Sequence, residues 1–262
     1  MIICAEVIGT EDNRLIVLDK ASQQEVAVNT RCLNFNKGDK VKIAYNGIMT
    51  RSIPPQICAE SIVRMPDNSA EAYLLRYNEI LNTMTEEMCS AELTDSISRN
   101  FIVQMIPHHR AAVEMSENIL KYTNNAELIS IAQNIVSEQT KSIENMQAAL
   151  ETCSSLENCP CDVNAYQSKF RCITKTMFSK MRNACSDCCV NCDFIREMIP
   201  HHEGAVRMSL NALSFEICPD LKPVLNAIIV SQENGIRQMK CLAKNLNCKQ
   251  RVAAPIADRI LM

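Results

Sequence analysis

The sequence contains no tryptophan, and only 4% of its 262 residues are aromatic. Its charges almost balance, with 27 Lys and Arg against 30 Asp and Glu, so the chain has no excess of positive charge for nucleic acid or anionic lipid. It also has no apolar run of about 18 residues, the length that a membrane-spanning helix needs. These absences predict a soluble globular protein that neither binds nucleic acid nor inserts into a membrane.

The start of the chain, Met-Ile-Ile-Cys-Ala-Glu, lacks the basic segment and the long apolar segment of a secretory signal peptide. As it stands, the sequence therefore predicts a cytoplasmic location, with export as the alternative if a leader has been removed. The distinction bears on the thiols, because cysteines stay reduced in the cytoplasm and pair into disulfides in oxidising compartments.

Residues 1–66 have the pattern of a small β-barrel. Short runs of β-branched residues are separated by turn signals such as Lys37-Gly38-Asp39 and Asn46-Gly47. About five strands are expected, and they are predicted to close into a small antiparallel barrel of the oligonucleotide/oligosaccharide-binding type. The predicted strands are Ile2–Ile8, Leu15–Leu18, Val26–Val28, Val41–Tyr45 and Ile57–Val63.

From residue 70 to about residue 250 the apolar residues have helical spacing, and this part of the chain contains an internal duplication. Residues 71–150 align without a gap on residues 164–243, at a constant offset of 93, with 25 identities in 80 positions. A cysteine-rich linker, 151–163, joins the two repeats. Each repeat has three helical segments, so the sequence predicts a mainly α fold, a helical bundle with pseudo-twofold symmetry.

The duplication retains histidine and methionine but loses acids. All four histidines of the chain pair with one another across the two repeats, and so do ten of its fourteen methionines. By contrast, eleven Asp or Glu residues of the first repeat meet a single acid in the second. The retained pairs are His108 with His201, His109 with His202, Met84 with Met177, Met88 with Met181, Met105 with Met198, Met115 with Met208, and Met146 with Met239.

Helical spacing brings these residues onto shared faces. At 100° per residue, Met105, His108 and His109 lie within about 120° of one another around one helix. A proline, Pro107 or Pro200, directly precedes the histidine pair in each repeat. The apolar spacing on both sides of the proline favours a continuous helix over a helix that begins at the proline.

The donor types indicate which metal such a face would bind. Thioether sulfur is a soft donor that prefers Cu(I) and the similarly soft Ag(I), and imidazole also binds copper. The sequence therefore predicts one Met/His cluster per repeat that binds Cu(I), with silver as a ligand in vitro. The alternative is that the two clusters merge into one at the centre of the bundle. The polar neighbours of the imidazoles on these faces include Gln139 and Gln232. The structural alternative is that methionine fills irregular gaps in an aromatic-poor core.

The paired motifs Met-Ile-Pro-His-His-x-x-Ala-Val-x-Met, each followed by a Gln and a Met on a later helix, resemble those of the domain of unknown function 305 family over about residues 71–246. Members of that family look like ferritin-like four-helix bundles, and some are copper- and silver-binding proteins of metal tolerance. The resemblance implies metal binding by both motifs and by Met146 and Met239. It also implies that Gln139 and Gln232 hydrogen bond to the imidazoles. The barrel and the cysteine-rich insertion are additions to the family pattern.

The 15 cysteines do not take part in the duplication, since none has a cysteine partner 93 residues away. Three interpretations stay open: a thiolate site for zinc or Cu(I), structural disulfides in an exported chain, or reduced thiols. Thiols or bound metal are favoured, because an odd number of cysteines cannot pair completely. Four cysteines at i, i+3, i+4 and i+7 share a helical face and are predicted to form a thiolate site: Cys185, Cys188, Cys189 and Cys192.

The sequence favours a binding protein without turnover, a module for soft-metal storage, buffering or tolerance, and it predicts no catalytic residue. One alternative is a di-iron-like oxidoreductase on a ferritin-like bundle, which would need inward-facing Glu and Glu-x-x-His pairs. Such pairs are absent from the sequence. Another alternative is a structural or interaction module. Beyond metal ions, the expected partners are a second copy of the chain or a protein that donates or accepts metal.

Overall fold

The structure is a computed structural model that describes residues 1–11, 14–30, 35–64, 68–153, 156–184, 189–246 and 248. The chain divides into two compact units, Met1–Glu71 and Ala72–Met262. Within the described residues, five strands precede six helices, as the change in residue spacing predicts.

The first unit is a closed barrel in which all five predicted strands are present. In β4, alternate side chains face the barrel core: Val41 and Ile43 are buried, whereas Lys42 between them is exposed. The order around the barrel is β1-β2-β3-β5-β4, so that β4 closes onto β1. The strands are β1 (Ile2–Glu11), β2 (Arg14–Asp19), β3 (Glu25–Asn29), β4 (Lys40–Tyr45) and β5 (Gln56–Arg64).

One pairing corrects the prediction of an antiparallel barrel. β3 and β5 run parallel, with Ala27 opposite Gln56, whereas the other four pairings are antiparallel. A parallel pair is unavoidable here, because strands that alternate in direction cannot close a ring with an odd number of members. The strand count alone would therefore have predicted it.

The described part of the second unit consists of two groups of three helices, as the duplication predicts. Pro107 and Pro200 lie inside α2 and α5, which confirms the continuous helices. None of the described helices is both long and apolar enough to cross a membrane. The helices are α1 (Asn68–Ser90), α2 (Ile97–Ile119), α3 (Ala126–Cys153), α4 (Pro160–Arg182), α5 (Val190–Ala212) and α6 (Leu221–Asn245).

The two repeats meet through their second and third helices. α2 packs against α3 in the first repeat and α5 packs against α6 in the second, while α2 contacts α5 and α3 contacts α6 across the repeats. All ten paired methionines are buried in the core of this unit. α4 packs on α5, and Arg76 of α1 forms an ion pair with Glu114 of α2 at 2.5 Å.

A matched pair of hydrogen bonds follows the pseudo-twofold symmetry of the repeats. The side-chain amide of Asn118 in α2 donates to the carbonyl of Tyr73 in α1 at 3.0 Å. The corresponding amide of Asn211 in α5 donates to the carbonyl of Tyr166 in α4 at 3.1 Å. All four residues are buried, so the first helix of each repeat is fixed to the second helix in the same way.

Two disulfides differ from the expectation of reduced thiols. Cys153 at the end of α3 is bonded to Cys218, and Cys192 of α5 is bonded to Cys248. The Cα atoms are 5.4 and 5.5 Å apart, within the usual range for a disulfide. Both bonds join segments that are distant in sequence, at separations of 65 and 56 residues.

The second disulfide corrects part of the predicted thiolate site. Cys192 is paired and is therefore not available as a thiolate ligand. Cys189 is exposed at the start of α5, and Cys185 and Cys188 lie outside the described residues. Helical periodicity places Cys192 on a face of α5, but it gives no information on the distant cysteine that lies beside that face.

We expect residues 68–262 to fold without the barrel, because the core of the helical unit is formed by buried residues between Tyr73 and Leu242. This fragment should give a helical circular dichroism spectrum and a cooperative thermal transition. The fragment of residues 1–64 should give a strand-type spectrum. A disordered spectrum for the helical fragment would contradict the division of the chain into two units.

Candidate metal centre

The four histidines form one cluster, the histidine row, where α2 packs against α5. The ring centroids of His108 and His201 are 3.6 Å apart and their planes are inclined by 25°, which is a stacked contact between the two repeats. The His109 centroid lies 5.8 Å from that of His108, and the His202 centroid lies 5.9 Å from that of His201. The stacked pair therefore joins the two repeats, and one further imidazole adjoins each of its rings.

This row differs from the prediction of a separate cluster in each repeat. Helical periodicity assigns each histidine pair to a face of its own helix, but it does not say which faces meet. Because α2 and α5 contact each other through these faces, the two pairs share one position in the core.

The hydrogen bond of His201 indicates its tautomer. Its Nε2 lies 3.1 Å from the carbonyl oxygen of His108, and since a carbonyl only accepts, Nε2 carries the proton of the neutral ring. Nδ1 of His201 then keeps its lone pair. Six buried ring nitrogens lack a hydrogen-bond partner among the described residues: Nδ1 and Nε2 of His108, Nδ1 and Nε2 of His109, Nδ1 of His201 and Nδ1 of His202.

Burial keeps all four imidazoles neutral at physiological pH. Desolvation lowers the pKa of His109 to about 3 and the pKa of His201 to about 4. The pKa values of His108 and His202 lie well below the usual range for the same reason, and the neighbouring imidazoles lower them further. A neutral imidazole retains the nitrogen lone pair that a metal ligand requires.

A glycine in α5 lets a thioether approach the face that carries the histidines. A Cβ atom at Gly204 would clash with Sδ of Met177, so the Met177 sulfur lies directly on the backbone of α5. Gly204 follows His201 by three residues and shares its helix face. In α6, a Cβ atom at Gly235 would lie 2.9 Å from Cδ2 of His202, so this imidazole packs against the α6 backbone.

The ten predicted methionines lie in the same core as the histidine row. Met105 and Met198 precede His108 and His201 by three residues and therefore share their helix faces. The core thus combines thioethers with imidazoles. Each methionine of the set is at most 2% exposed: Met84, Met88, Met105, Met115, Met146, Met177, Met181, Met198, Met208 and Met239.

Two methionines of the second repeat show that the predicted ligands differ in their surroundings. Met208 follows His201 by seven residues, so it lies two turns further along the same face of α5. Met181 lies at the end of α4, where its carbonyl accepts a hydrogen bond from the hydroxyl of Tyr77 in α1 at 3.1 Å. The structure therefore places Met181 beside α1, which helical periodicity did not predict. A ligand role for Met208 and for Met181 stays a prediction.

A cavity of about 340 Å³ lies between α3 and α6 and is lined by His109, Gln139 and Gln232. Both glutamines are 2% exposed. Within the described part of the chain, the Oε1 atom of each has no hydrogen-bond partner. The rest of the lining combines polar residues such as Ser142 with apolar residues such as Ile228. The cavity gives the imidazoles an approach from the side of His109.

Sequence reasoning missed a buried acidic pair at the start of α5. Glu197 accepts a hydrogen bond from the hydroxyl of Tyr73. Desolvation raises the pKa of Glu197 to about 8 against the opposing effect of that hydrogen bond, and the nearby carboxylate of Asp193 contributes to the rise. Glu197 is therefore mainly protonated at neutral pH. The duplication gave no signal for a buried acid here, because Glu197 aligns with Gln104, which is neutral.

Comparison with known proteins identifies a family and several related structures. A family model described as Domain of unknown function (DUF305) matches residues 76–150 and 98–243. CopM in the Ag-bound form (by soaking) is 29% identical, covers 58% of this chain and 98% of its own, and has a TM-score of 0.43. CopM in the Cu(I)-bound form is 29% identical, with coverages of 59% and 99% and the same TM-score of 0.43.

A DUF305 fragment from Deinococcus radiodurans is 23% identical, covers 57% of this chain and 96% of its own, and also has a TM-score of 0.43. No curated protein matches the chain.

We expect the metal-free protein to be most stable near pH 7. The unfolded histidines take up protons below about pH 6.5, whereas the folded ones do not, so the free energy of unfolding should fall from about pH 6.5 towards pH 4. Each histidine contributes up to about 1.4 kcal/mol per pH unit in that interval. Glu197 acts oppositely: its pKa is raised from 4.5 to about 8 on folding, so its contribution is lost as the pH rises between those values.

Urea denaturation between pH 5 and pH 8 measures both effects, with the four histidines outweighing the one glutamate on the acid side. Glu197→Gln is the control, because Gln104 occupies the aligned position in the first repeat. This variant should lose the alkaline decline and keep the acid decline. A free energy of unfolding that stays constant between pH 7 and pH 5 would contradict neutral buried histidines.

Proposed function

The chain belongs to the DUF305 family, and we propose that its helical unit binds the soft metal ions Cu(I) and, in vitro, Ag(I) at the histidine row and its neighbouring thioethers. The ion is cargo that the protein stores or buffers, without turnover. Retention of copper in this way would lower the free concentration of a reactive ion and so provide metal tolerance.

The burial of four neutral imidazoles in one row is the observation that carries the proposal. A buried histidine retained for packing alone normally has hydrogen-bond partners, because an unpaired buried polar atom costs about 1–3 kcal/mol. Within the described ranges, six nitrogens of this row have none. An ion bound between the rings would satisfy several nitrogens at once and offset that cost.

The surrounding atoms favour a soft ion over a hard one. Met177 brings its thioether to the backbone of α5 at Gly204, on the face that carries His201. Thioether and imidazole together select Cu(I) among the common biological metals. The near-complete burial of the row would also exclude water from a bound ion.

Two glutamines support the proposal from the cavity beside His109. When a metal binds one nitrogen of an imidazole, the other nitrogen carries a proton and needs an acceptor. The Oε1 atoms of Gln139 and Gln232 line the same cavity as His109 and have no other partner among the described residues. We infer that these oxygens accept from the imidazoles of the loaded protein.

The di-iron alternative lacks the ligands that it needs. Such sites draw carboxylates from all four helices of a bundle. In the helical unit, the buried carboxylates found in the described residues are Asp193 and Glu197, and both lie on α5. Glu197 is also engaged by Tyr73 and mainly protonated, which disfavours it as a ligand of a hard cation.

We expect replacement of His108 and His201 by Gln to weaken Ag(I) binding by about tenfold to a hundredfold or more, since Gln offers no imidazole nitrogen. The measurement is isothermal titration calorimetry of the full-length protein with its exposed thiols alkylated. Alkylation comes first because thiolates compete with thioethers for soft metals. Circular dichroism checks that the variant keeps its helices. Unchanged Ag(I) binding in a folded variant would contradict the proposal.

Single replacements distinguish binding by the four histidines as one unit from binding at two independent sites. If the row binds as a unit, His108→Gln and His201→Gln should each weaken all of the binding, whereas independent sites would give additive partial losses. Met177→Leu should also lower the affinity. Its matched control is Met49→Leu, because Met49 lies in the barrel unit and is 39% exposed.

A further inference from the structure

A second group of metal-binding side chains lies at the start of α4, outside the histidine row. Cys159, Cys161 and Asp162 place their two Sγ atoms and a carboxylate oxygen all within 4.8 Å of one another. It is the one such group of three in the part of the chain that the structure describes. Both cysteines are exposed and, within that part, free of disulfides.

Local sequence explains why the two thiols converge. Cys159 is the residue that caps α4, with an extended backbone at φ −63° and ψ 149°. Pro160 occupies the first helical turn, where its fixed φ suits the helix and its missing N–H is not needed. The backbone N–H of Asp162 donates to Sγ of Cys159 at 3.4 Å. The turn therefore holds the Cys159 sulfur beside the first turn of α4, where Cys161 also lies.

The segment before the cysteine pair is fixed to the rest of the helical unit. The side-chain amide of Asn158 donates to the carbonyl of Glu216 at 2.7 Å, and its oxygen accepts from the backbone N–H of Ile97 at 2.9 Å. The backbone N–H of Asn158 donates to the carbonyl of Asp95 at 2.8 Å. Three hydrogen bonds thus hold the residue that directly precedes the thiol pair in place.

We propose that Cys159 and Cys161 form a second, surface-exposed Cu(I) site, with Asp162 beside it. The sulfur separation of at most 4.8 Å is about twice a metal–sulfur bond of about 2.3 Å, so one ion between the sulfurs reaches both. Binding converts two thiols and one Cu(I) into a dithiolate complex and releases two protons to solvent. No electron is transferred.

The pair is independent of the duplicated centre. Cys159 and Cys161 lie in the linker 151–163, outside both repeats, so the pair is not part of the duplication. Since both sulfurs are exposed, an ion held there can exchange with a ligand from solution without opening the helical core. The surface site would therefore load and unload faster than the buried row.

Competition with a colorimetric Cu(I) chelator under anaerobic conditions tests this site in the full-length protein. The Cys159→Ser/Cys161→Ser variant should bind one equivalent less than the unmodified chain. Cys172→Ser/Cys241→Ser is the matched control, because Cys172 and Cys241 are exposed, free cysteines of the described helices. This control should bind the full amount. Equal stoichiometry in both variants would overturn the proposal.

Alkylation of the native protein, read by peptide mass spectrometry, gives a second readout. Saturating Cu(I) should slow alkylation of Cys159 and Cys161 by about tenfold or more, because bound thiolates do not react, and should leave Cys172 and Cys241 unprotected. Equal rates with and without Cu(I), or a disulfide between Cys159 and Cys161 in freshly prepared protein, would overturn the site. Protection should persist in the His108→Gln/His201→Gln variant, so failure of one site is distinguishable from failure of the other.

Discussion

The stacking of two neutral imidazoles at the interface of the repeats is the contact on which the helical unit depends. His108 and His201 lie 3.6 Å apart between centroids. Only uncharged rings tolerate this separation in an apolar core, because two imidazolium ions would repel each other and lose their hydration. The apolar surroundings disfavour protonation of the rings, and the rings can be buried because they carry no charge. The same condition leaves nitrogen lone pairs inside the core, which makes the interface suited to a soft metal ion.

The two repeats share a fold but have diverged around this contact. The second repeat has Gly204 where the first has Ala111, and Gly235 where the first has Ser142. These glycines let Met177 and His202 lie closer to the helix backbones than a Cβ atom would allow. The pseudo-twofold axis thus relates the positions of the histidines in the two repeats. The surroundings of these histidines differ, because the first repeat has no glycine at either position.

Comparison of the two repeats predicted the helices and the histidines, because both copies keep the residues that the core requires. It could not predict that the two histidine pairs form one cluster. Helical periodicity assigns a residue to a face of its own helix, but it does not say which face of another helix packs against it. The pairing of Cys192 with Cys248 was also hidden, because connectivity does not follow from spacing. The burial of Glu197 was not predicted for a different reason. Its aligned residue, Gln104, is neutral, so the buried acid has no acidic counterpart in the first repeat.

The most direct test of the proposed centre is X-ray absorption at the copper edge, on full-length protein loaded with Cu(I) after alkylation of its exposed thiols. We expect scattering from imidazole rings together with a sulfur shell at thioether distance, since these are the donors of the buried row and its neighbours. Copper that is retained with oxygen ligands only, or without imidazole scattering, would contradict binding at His108 and His201.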